Sequence, residues 1–315
     1  MDYKAHVLIP GGAGYVGSVL TEHLLDSGYR VTVLDNLYYQ QRSLLHVVAN
    51  PLFDFVFGDV RDEALLKNLL KDADVIIPLA AVVGAPACDR NPELARSLNF
   101  EAIRLLNKLR DPKQLVVFPA TDSGYGIKPG NVLCTEDSPL GPISLYAKTK
   151  VDAEAELLNS PNAITLRLST VFGVSPRIRM DLLVNHFTYA AASDRYLVIF
   201  EKDFKRNFVH VRDVANAFIF AIENAPRMVG RPHNIGLDEA NITKEELAYK
   251  IKQYVPDLFL HFADVGSDPD KRNYTVSHER MRGLGFEAKR SLDFGIQELL
   301  KAYKTMKGHS AIRNI

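Results

Sequence analysis

Tyr146 and Lys150 stand four residues apart in Tyr146-Ala147-Lys148-Thr149-Lys150. On a helix that spacing puts both side chains on one face. An unperturbed tyrosine, with a pKa of about 10, is a poor base at neutral pH. A neighbouring ammonium favours the phenolate. Such a pair can take a proton from a hydroxyl while a hydride leaves the same carbon. The spacing alone is common on helices, where a lysine can simply snorkel to solvent. The chemistry therefore requires a hydride acceptor and a hydroxyl to orient the substrate.

A site for the acceptor lies at the front of the chain. Gly11-Gly12-Ala13-Gly14-Tyr15-Val16-Gly17 follows the apolar run Val7-Leu8-Ile9-Pro10 and opens an apolar-periodic stretch ending at Ser27-Gly28. Val31-Thr32-Val33-Leu34-Asp35 comes next. Strand, glycine turn, helix, strand and acid make a parallel βαβ unit. It brings backbone N–H groups and a helix N-terminus to one point, where a pyrophosphate can sit. Gly11 and Gly12 allow the tight turn, Gly14 lets the backbone approach the phosphates, and Gly17 lets the helix pack closely. Asp35, about 20 residues on, can accept from ribose hydroxyls.

The elements that must position these residues follow in order. The pattern predicts a third strand over 53–57 ending at Gly58-Asp59-Val60, a helix over 63–71, and a buried strand over 74–77 running into Pro78-Leu79-Ala80-Ala81. A long helix is expected over 93–110 and a fifth strand over 114–118, followed by Pro119-Ala120-Thr121-Asp122-Ser123. A helix over 143–158 carries Tyr146 and Lys150, and a sixth strand spans 164–168. This alternation predicts an α/β fold, a Rossmann-type doubly wound parallel sheet covered on both faces. Beyond about Val171 the alternation loosens. Helices are expected over 180–192, 214–224, 244–254 and 292–306, with strands over 197–200 and 207–211. They form a smaller, mixed α/β C-terminal substrate lobe. The expected division is 1–170 for the cofactor domain, with 205–225 returning to it, and 171–315 for the lobe. Segments 127–142 and 230–241 read as ordered loops.

The 315 residues are 47% hydrophobic and 24% charged, with 38 basic and 38 acidic side chains, an ordinary globular composition. Zero net charge points away from nucleic acid or an anionic membrane as the main partner. Two cysteines, Cys88 and Cys134, form no metal spacing and no disulfide framework, so no metal is expected and a reducing, cytoplasmic setting is. No apolar run reaches transmembrane length.

Gly-x-x-Gly-x-x-Gly at 11–17, Gly58-Asp59-Val60-Arg61-Asp62, Leu79-Ala80-Ala81, Tyr125-Gly126, Tyr146-x-x-x-Lys150, Arg206-Asn207-Phe208-Val209-His210-Val211 and Leu284-Gly285-Phe286 occur in one order. That order resembles, over nearly the whole chain, the NAD-dependent epimerase/dehydratase family. It is the nucleotide-sugar branch of the extended short-chain dehydrogenases/reductases. The resemblance implies NAD-dependent oxidation at a sugar carbon, usually C4, of a nucleoside-diphosphate sugar. It implies that Gly11, Gly14, Tyr15, Val16 and Gly17 hold the cofactor together with Asp35 and Asn36. Asp59 beside Val60 would meet the adenine, and Leu79, Ala80 and Ala81 would line the nicotinamide side. Thr121 would orient the reacting hydroxyl, Tyr146 would be the base, and Lys150 its partner. Ser123, Arg179, Asn185, Arg206 and Arg272 would face the substrate. Relatives also imply a homodimer through the 93–110 and 143–158 helices. His210 is expected to be a satisfied structural histidine, and the cysteines packing residues.

Some positions depart from the pattern. Pro10 and Pro78 replace the usual Thr and His, and Thr170 stands where many relatives have Asn. Asp122-Ser123 lacks the Glu that sugar dehydratases carry after the Thr. Val83-Gly84-Ala85-Pro86 and Ser175-Pro176-Arg177-Ile178-Arg179 resemble a sub-branch that includes GDP-heptose 4-dehydrogenases of bacterial surface-polysaccharide pathways. NAD is expected over NADP, because Asp35 would repel a 2′-phosphate. Arg42 is the one cation nearby that opposes this. The rival from another class is a cofactor-sensing regulatory protein, and the Tyr146–Lys150 pair argues against it.

Overall fold

A computed structural model describes residues 2–128, 132–263 and 273–306. The apolar runs form seven parallel strands: β1 (His6–Pro10), β2 (Arg30–Asp35), β3 (Phe53–Phe57), β4 (Val75–Ile76), β5 (Leu115–Thr121), β6 (Ala163–Leu168) and β7 (Pro232–Ile235). Their spatial order is β7-β6-β5-β4-β1-β2-β3. Strand order reverses between β1 and β4, which opens a crevice at the carboxyl ends there.

Alternation along each strand divides the core. Val7, Ile9, Val31, Val33 and Val117 point to one face, under helices Tyr15–Asp26 and Val211–Glu223. Leu8, Leu34, Ile76, Val116 and Phe118 point to the other, under helices Glu63–Leu70, Ala102–Leu109 and Leu145–Leu158. Helices cover both faces of the central strands, which are therefore mostly apolar, while the edge strand β3 is partly exposed.

Several elements differ from the sequence reading. Segment 230–241 is not all loop: Pro232–Ile235 pairs with β6 as the last strand of the sheet. It is short and opens on Pro, which an edge strand tolerates. The helix over 93–110 begins at Pro92 and contains a π-helical turn at Ser97–Glu101. The turn carries buried Asn99, whose side chain accepts from Val82 N (2.8 Å) and donates to Val82 O (2.9 Å).

After β6 the chain forms a short parallel pair, Thr170–Phe172 with Phe208–His210. A second pair joins Tyr196–Phe200 to Phe259–Ala263, packed with helices Leu183–Ser193, Lys244–Tyr254 and Leu292–Thr305. The first of these helices starts three residues later than the pattern suggests, because 180–181 form a turn and Leu182 caps the helix with extended backbone. Among the described residues no helix is long and apolar enough to cross a membrane.

Candidate active site

The glycine turn ends β1. Gly11 has φ +84°, and a Cβ there would lie 2.3 Å from Ala80 N, so the turn and the Leu79-Ala80-Ala81 stretch meet backbone to backbone. A Cβ on Gly17 would lie 2.5 Å from Gly12 O, which seats the helix against the turn. Gly14 is different: a Cβ there would approach only Gly11 O, at 3.3 Å. The protein's own packing leaves that face clear. Gly14 is also the N-cap of helix Tyr15–Asp26, and no side chain caps that helix and no acid lies in its first turn. Orphan N–H groups beside a cleared glycine fit a pyrophosphate.

Asp35 is buried at the end of β2. Oδ2 accepts from Ala13 N (3.0 Å) and Oδ1 from Leu37 N (2.8 Å), which ties the acid to the glycine turn. Burial pushes its pKa up, while those N–H groups and the Arg177 charge oppose the rise. Asn36 Nδ2 reaches Asp59 (3.4 Å), and the Arg61 guanidinium donates to both Asp59 oxygens, holding that carboxyl below its ordinary range. Val60 is buried beside it, and Val16 packs against the core.

At the end of β5, Thr121 Oγ1 donates to Ser123 Oγ (2.9 Å) and accepts from Ser123 N (3.1 Å). Helix Leu145–Leu158, capped by Ser144, packs alongside. Tyr146 is half-buried near Val82, Cys88 and Ala95. Lys150 is 4% exposed, and its Nζ lies 3.9 Å from the centroid of the Phe118 ring, three residues before Thr121. No hydrogen bond to Nζ occurs among the described residues. Burial lowers its pKa from 10.5 to about 7, against the opposing charges of Glu154 and Cys88. The structure thus gathers the glycine turn, Asp35, Asp59, Ala80, Thr121, Ser123, Tyr146 and Lys150 at or just beyond the carboxyl ends of the strands. The residues present fit a dinucleotide: a cleared phosphate cradle, a buried acid, and a buried ammonium without a hydrogen-bond acceptor among the described residues.

The expected substrate residues are less uniform. Arg206 is buried and donates to Lys205 O (3.0 Å). Arg179 makes a two-pronged contact with Asp181, which overcomes burial and holds that carboxyl below its ordinary range. Asn185 is fully buried, and its amide serves the chain's own loop, accepting from Gly173 N (3.0 Å) and donating to Arg179 O (2.8 Å). Arg272 lies outside the described residues. His210 is buried, accepts from Arg212 N at Nδ1 and meets Glu298 through Nε2 (3.0 Å), a satisfied structural histidine. Sequence reasoning missed Asn99, Arg177 and Tyr39. Asn99 braces the β4 loop and reaches Thr149, a neighbour of Lys150 (3.3 Å). No spacing rule pairs Arg177 with Tyr39, because the two meet only through the fold.

Residues 7–236 match the model of the NAD dependent epimerase/dehydratase family. The low-salt glycan biosynthesis protein Agl12 of Haloferax volcanii is 29% identical over 94% of this chain and 98% of its own. A UDP-glucose 4-epimerase of Lactobacillus helveticus is 31% identical over 69% of this chain and 72% of its own. The fold is shared with UDP-glucuronic acid 4-epimerase from Bacillus cereus, crystallised with UDP-glucuronic acid and NAD. That match has a TM-score of 0.85 and 23% identity, covering 96% of this chain and 99% of the other.

Proposed function

The chain belongs to the NAD-dependent epimerase/dehydratase family, and we propose that within it the protein oxidises C4 of a nucleoside-diphosphate sugar, as a 4-epimerase or a net 4-dehydrogenase. The observation that carries this is the buried, unbonded Lys150 ammonium one helical turn from Tyr146 and against the strand that ends in Thr121. Bound NAD supplies the hydride acceptor. Thr121 holds the C4 hydroxyl, and Tyr146 takes its proton. Lys150 favours the phenolate, and ribose hydroxyls accepting from Nζ favour its charged form. Gly14 and the helix N-terminus hold the pyrophosphate, and Asp35 the adenosine ribose. Arg206 and Arg179 supply cations for the sugar diphosphate, with Ser123 at the sugar; Asn185 shapes the loop that carries Arg179. The relatives named as a UDP-glucose epimerase and a glycan biosynthesis protein support a role in making sugars for surface polysaccharides. A cytoplasmic homodimer, paired through the helices of 92–109 and 145–158, fits this role.

The test is mass spectrometry of the nucleotide that copurifies, followed by a panel of nucleoside-diphosphate sugars with Tyr146→Phe as control. Formation of a C4 epimer or a 4-keto product that Tyr146→Phe abolishes is the expected result. Turnover by Tyr146→Phe at the wild-type rate would refute the assignment.

A further inference from the structure

Residues 173–181 leave the strand Thr170–Phe172 and run across the cofactor half of the molecule before helix Leu183–Ser193. The segment is fastened to the first turn of the phosphate-side helix. Tyr15 Oη donates to Gly173 O (2.7 Å), Ser175 Oγ donates to Tyr15 O (2.7 Å), and the Ser18 and Ser175 hydroxyls lie 3.0 Å apart. Ser175 Oγ also accepts from Arg177 N (3.2 Å). Arg177 is 2% exposed, and its guanidinium lies 4.6 Å from the centroid of the Tyr39 ring.

Tyr39 belongs to the loop that follows Asp35. Leu37 and Gln40 of that loop have φ of 50° and 52°, a left-handed backbone that side chains other than glycine disfavour. Gln40 N donates to Leu37 O (2.7 Å), and Ser43 Oγ reaches back to Ala13 O (2.7 Å) in the glycine turn. Backbone strain persists where surrounding structure over-determines it. Here that structure includes a buried cation from the opposite lobe, set on the face of the loop's one half-buried tyrosine. A guanidinium is costly to bury for packing alone, since an apolar residue of similar volume would serve at least as well.

We propose that Arg177 is a positioning residue for the cofactor: laid across Tyr39, it holds the 36–43 loop over the adenosine end of the dinucleotide site and slows release of NAD(H). This rests on the functional reading above and deepens it. Retention keeps the hydride with the sugar it came from. C4 gives up its hydride and regains it on the other face, Tyr146 takes the hydroxyl proton and returns it, and no outside oxidant enters. Arg177 thus favours the 4-epimerase outcome, because a net 4-dehydrogenase must exchange its reduced cofactor each cycle.

The experiment compares Arg177→Met, Tyr39→Leu, Tyr39→Phe and Arg177→Met/Tyr39→Leu with wild type. NAD and NADP affinities are measured by calorimetry and NADH release by its fluorescence. Arg177→Met and Tyr39→Leu are each expected to weaken NAD binding and speed NADH release by roughly tenfold. The double variant should fall no further than the worse single, and Tyr39→Phe, which keeps the ring, should stay within about twofold of wild type. If Arg177→Met does not fold, the Tyr39 pair carries the comparison. Unchanged NAD affinity and release in Tyr39→Leu would overturn the inference. So would a selective loss of NADP affinity in Arg177→Met, which would make Arg177 a 2′-phosphate ligand. A wild-type protein that binds NAD but turns over no nucleotide sugar would instead break the functional reading and leave Arg177's effect on affinity to stand.

Discussion

Two buried cations flank Glu154, and the molecule treats them in opposite ways. Arg167 is held by both Glu154 oxygens (3.0 and 3.1 Å), by Tyr125 Oη (3.1 Å) and by Glu136 O (3.0 Å), and Thr165 Oγ1 donates to the same Glu154 (2.7 Å). Despite burial, its pKa is raised. Lys150, one turn away on the helix that carries Glu154, has an aromatic face and no hydrogen bond among the described residues, and burial takes it down to about 7. The paired cation joins β6 to helix Leu145–Leu158 and to the loop after β5. The unpaired one is kept short of partners, at a cost in stability, where a ligand's hydroxyls can supply them. The difference separates a charge satisfied within the fold from a charge left for a ligand to satisfy.

The sharpest way to test the chemical side is Tyr146→Phe. It should lower kcat by about 10²–10⁴-fold with NAD affinity nearly intact, read by steady-state kinetics and calorimetry. On the structural side, Glu154→Gln should cost about 3–5 kcal/mol, because it leaves Arg167 buried without its carboxylate. Denaturant unfolding measures this, and a loss below about 1 kcal/mol would mean that the pair is not structural. Lys150→Met should do the reverse. The unfolded chain holds the Lys150 proton up to pH 10.5 and the folded chain only up to about 7. Between those values the unfolded state binds the extra proton, so this group's contribution to stability rises with pH, and below about 7 the full cost is present. Ligand-free Lys150→Met should therefore gain about 1–4 kcal/mol at pH 6, fading towards pH 10. It should also bind NAD more weakly, and its residual pH–rate profile should move to higher pH. Thr121→Ala, which removes one orienting hydroxyl, should cost least, about tenfold in kcat.

The cofactor half is legible in sequence because its parts are local. A glycine turn, a helix and an acid within one βαβ unit leave little freedom in where Asp35 lands. Helix Lys244–Tyr254 is legible for a similar reason, since Thr243 and Glu246 form a capping box at its start. What stays hidden depends on partners far along the chain. Pro232–Ile235 has too few residues to show alternation and becomes a strand only through β6. The π turn at Ser97–Glu101 carries Asn99 to Val82, a contact helical periodicity does not encode. Arg177 reads as one more basic residue near Arg179 until the fold lays it on Tyr39. The substrate residues suffer most from this: each was placed by resemblance, and Asn185 turned out to be engaged with its own loop.

The late arrival of β7 bears on how the protein is made. Until residue 235 has left the ribosome, β6 presents an open sheet edge, the kind that pairs with other chains. Asn234 then fastens the strand: its Oδ1 accepts from Tyr125 Oη (2.7 Å), its N–H donates to Glu136 (2.9 Å), and its Nδ2 donates to Ser277 O (3.1 Å). Nascent chains released before that point would be prone to aggregate, and a fragment ending near residue 170, although it contains the glycine turn, Asp35, Thr121, Tyr146 and Lys150, should be recovered mainly as insoluble protein.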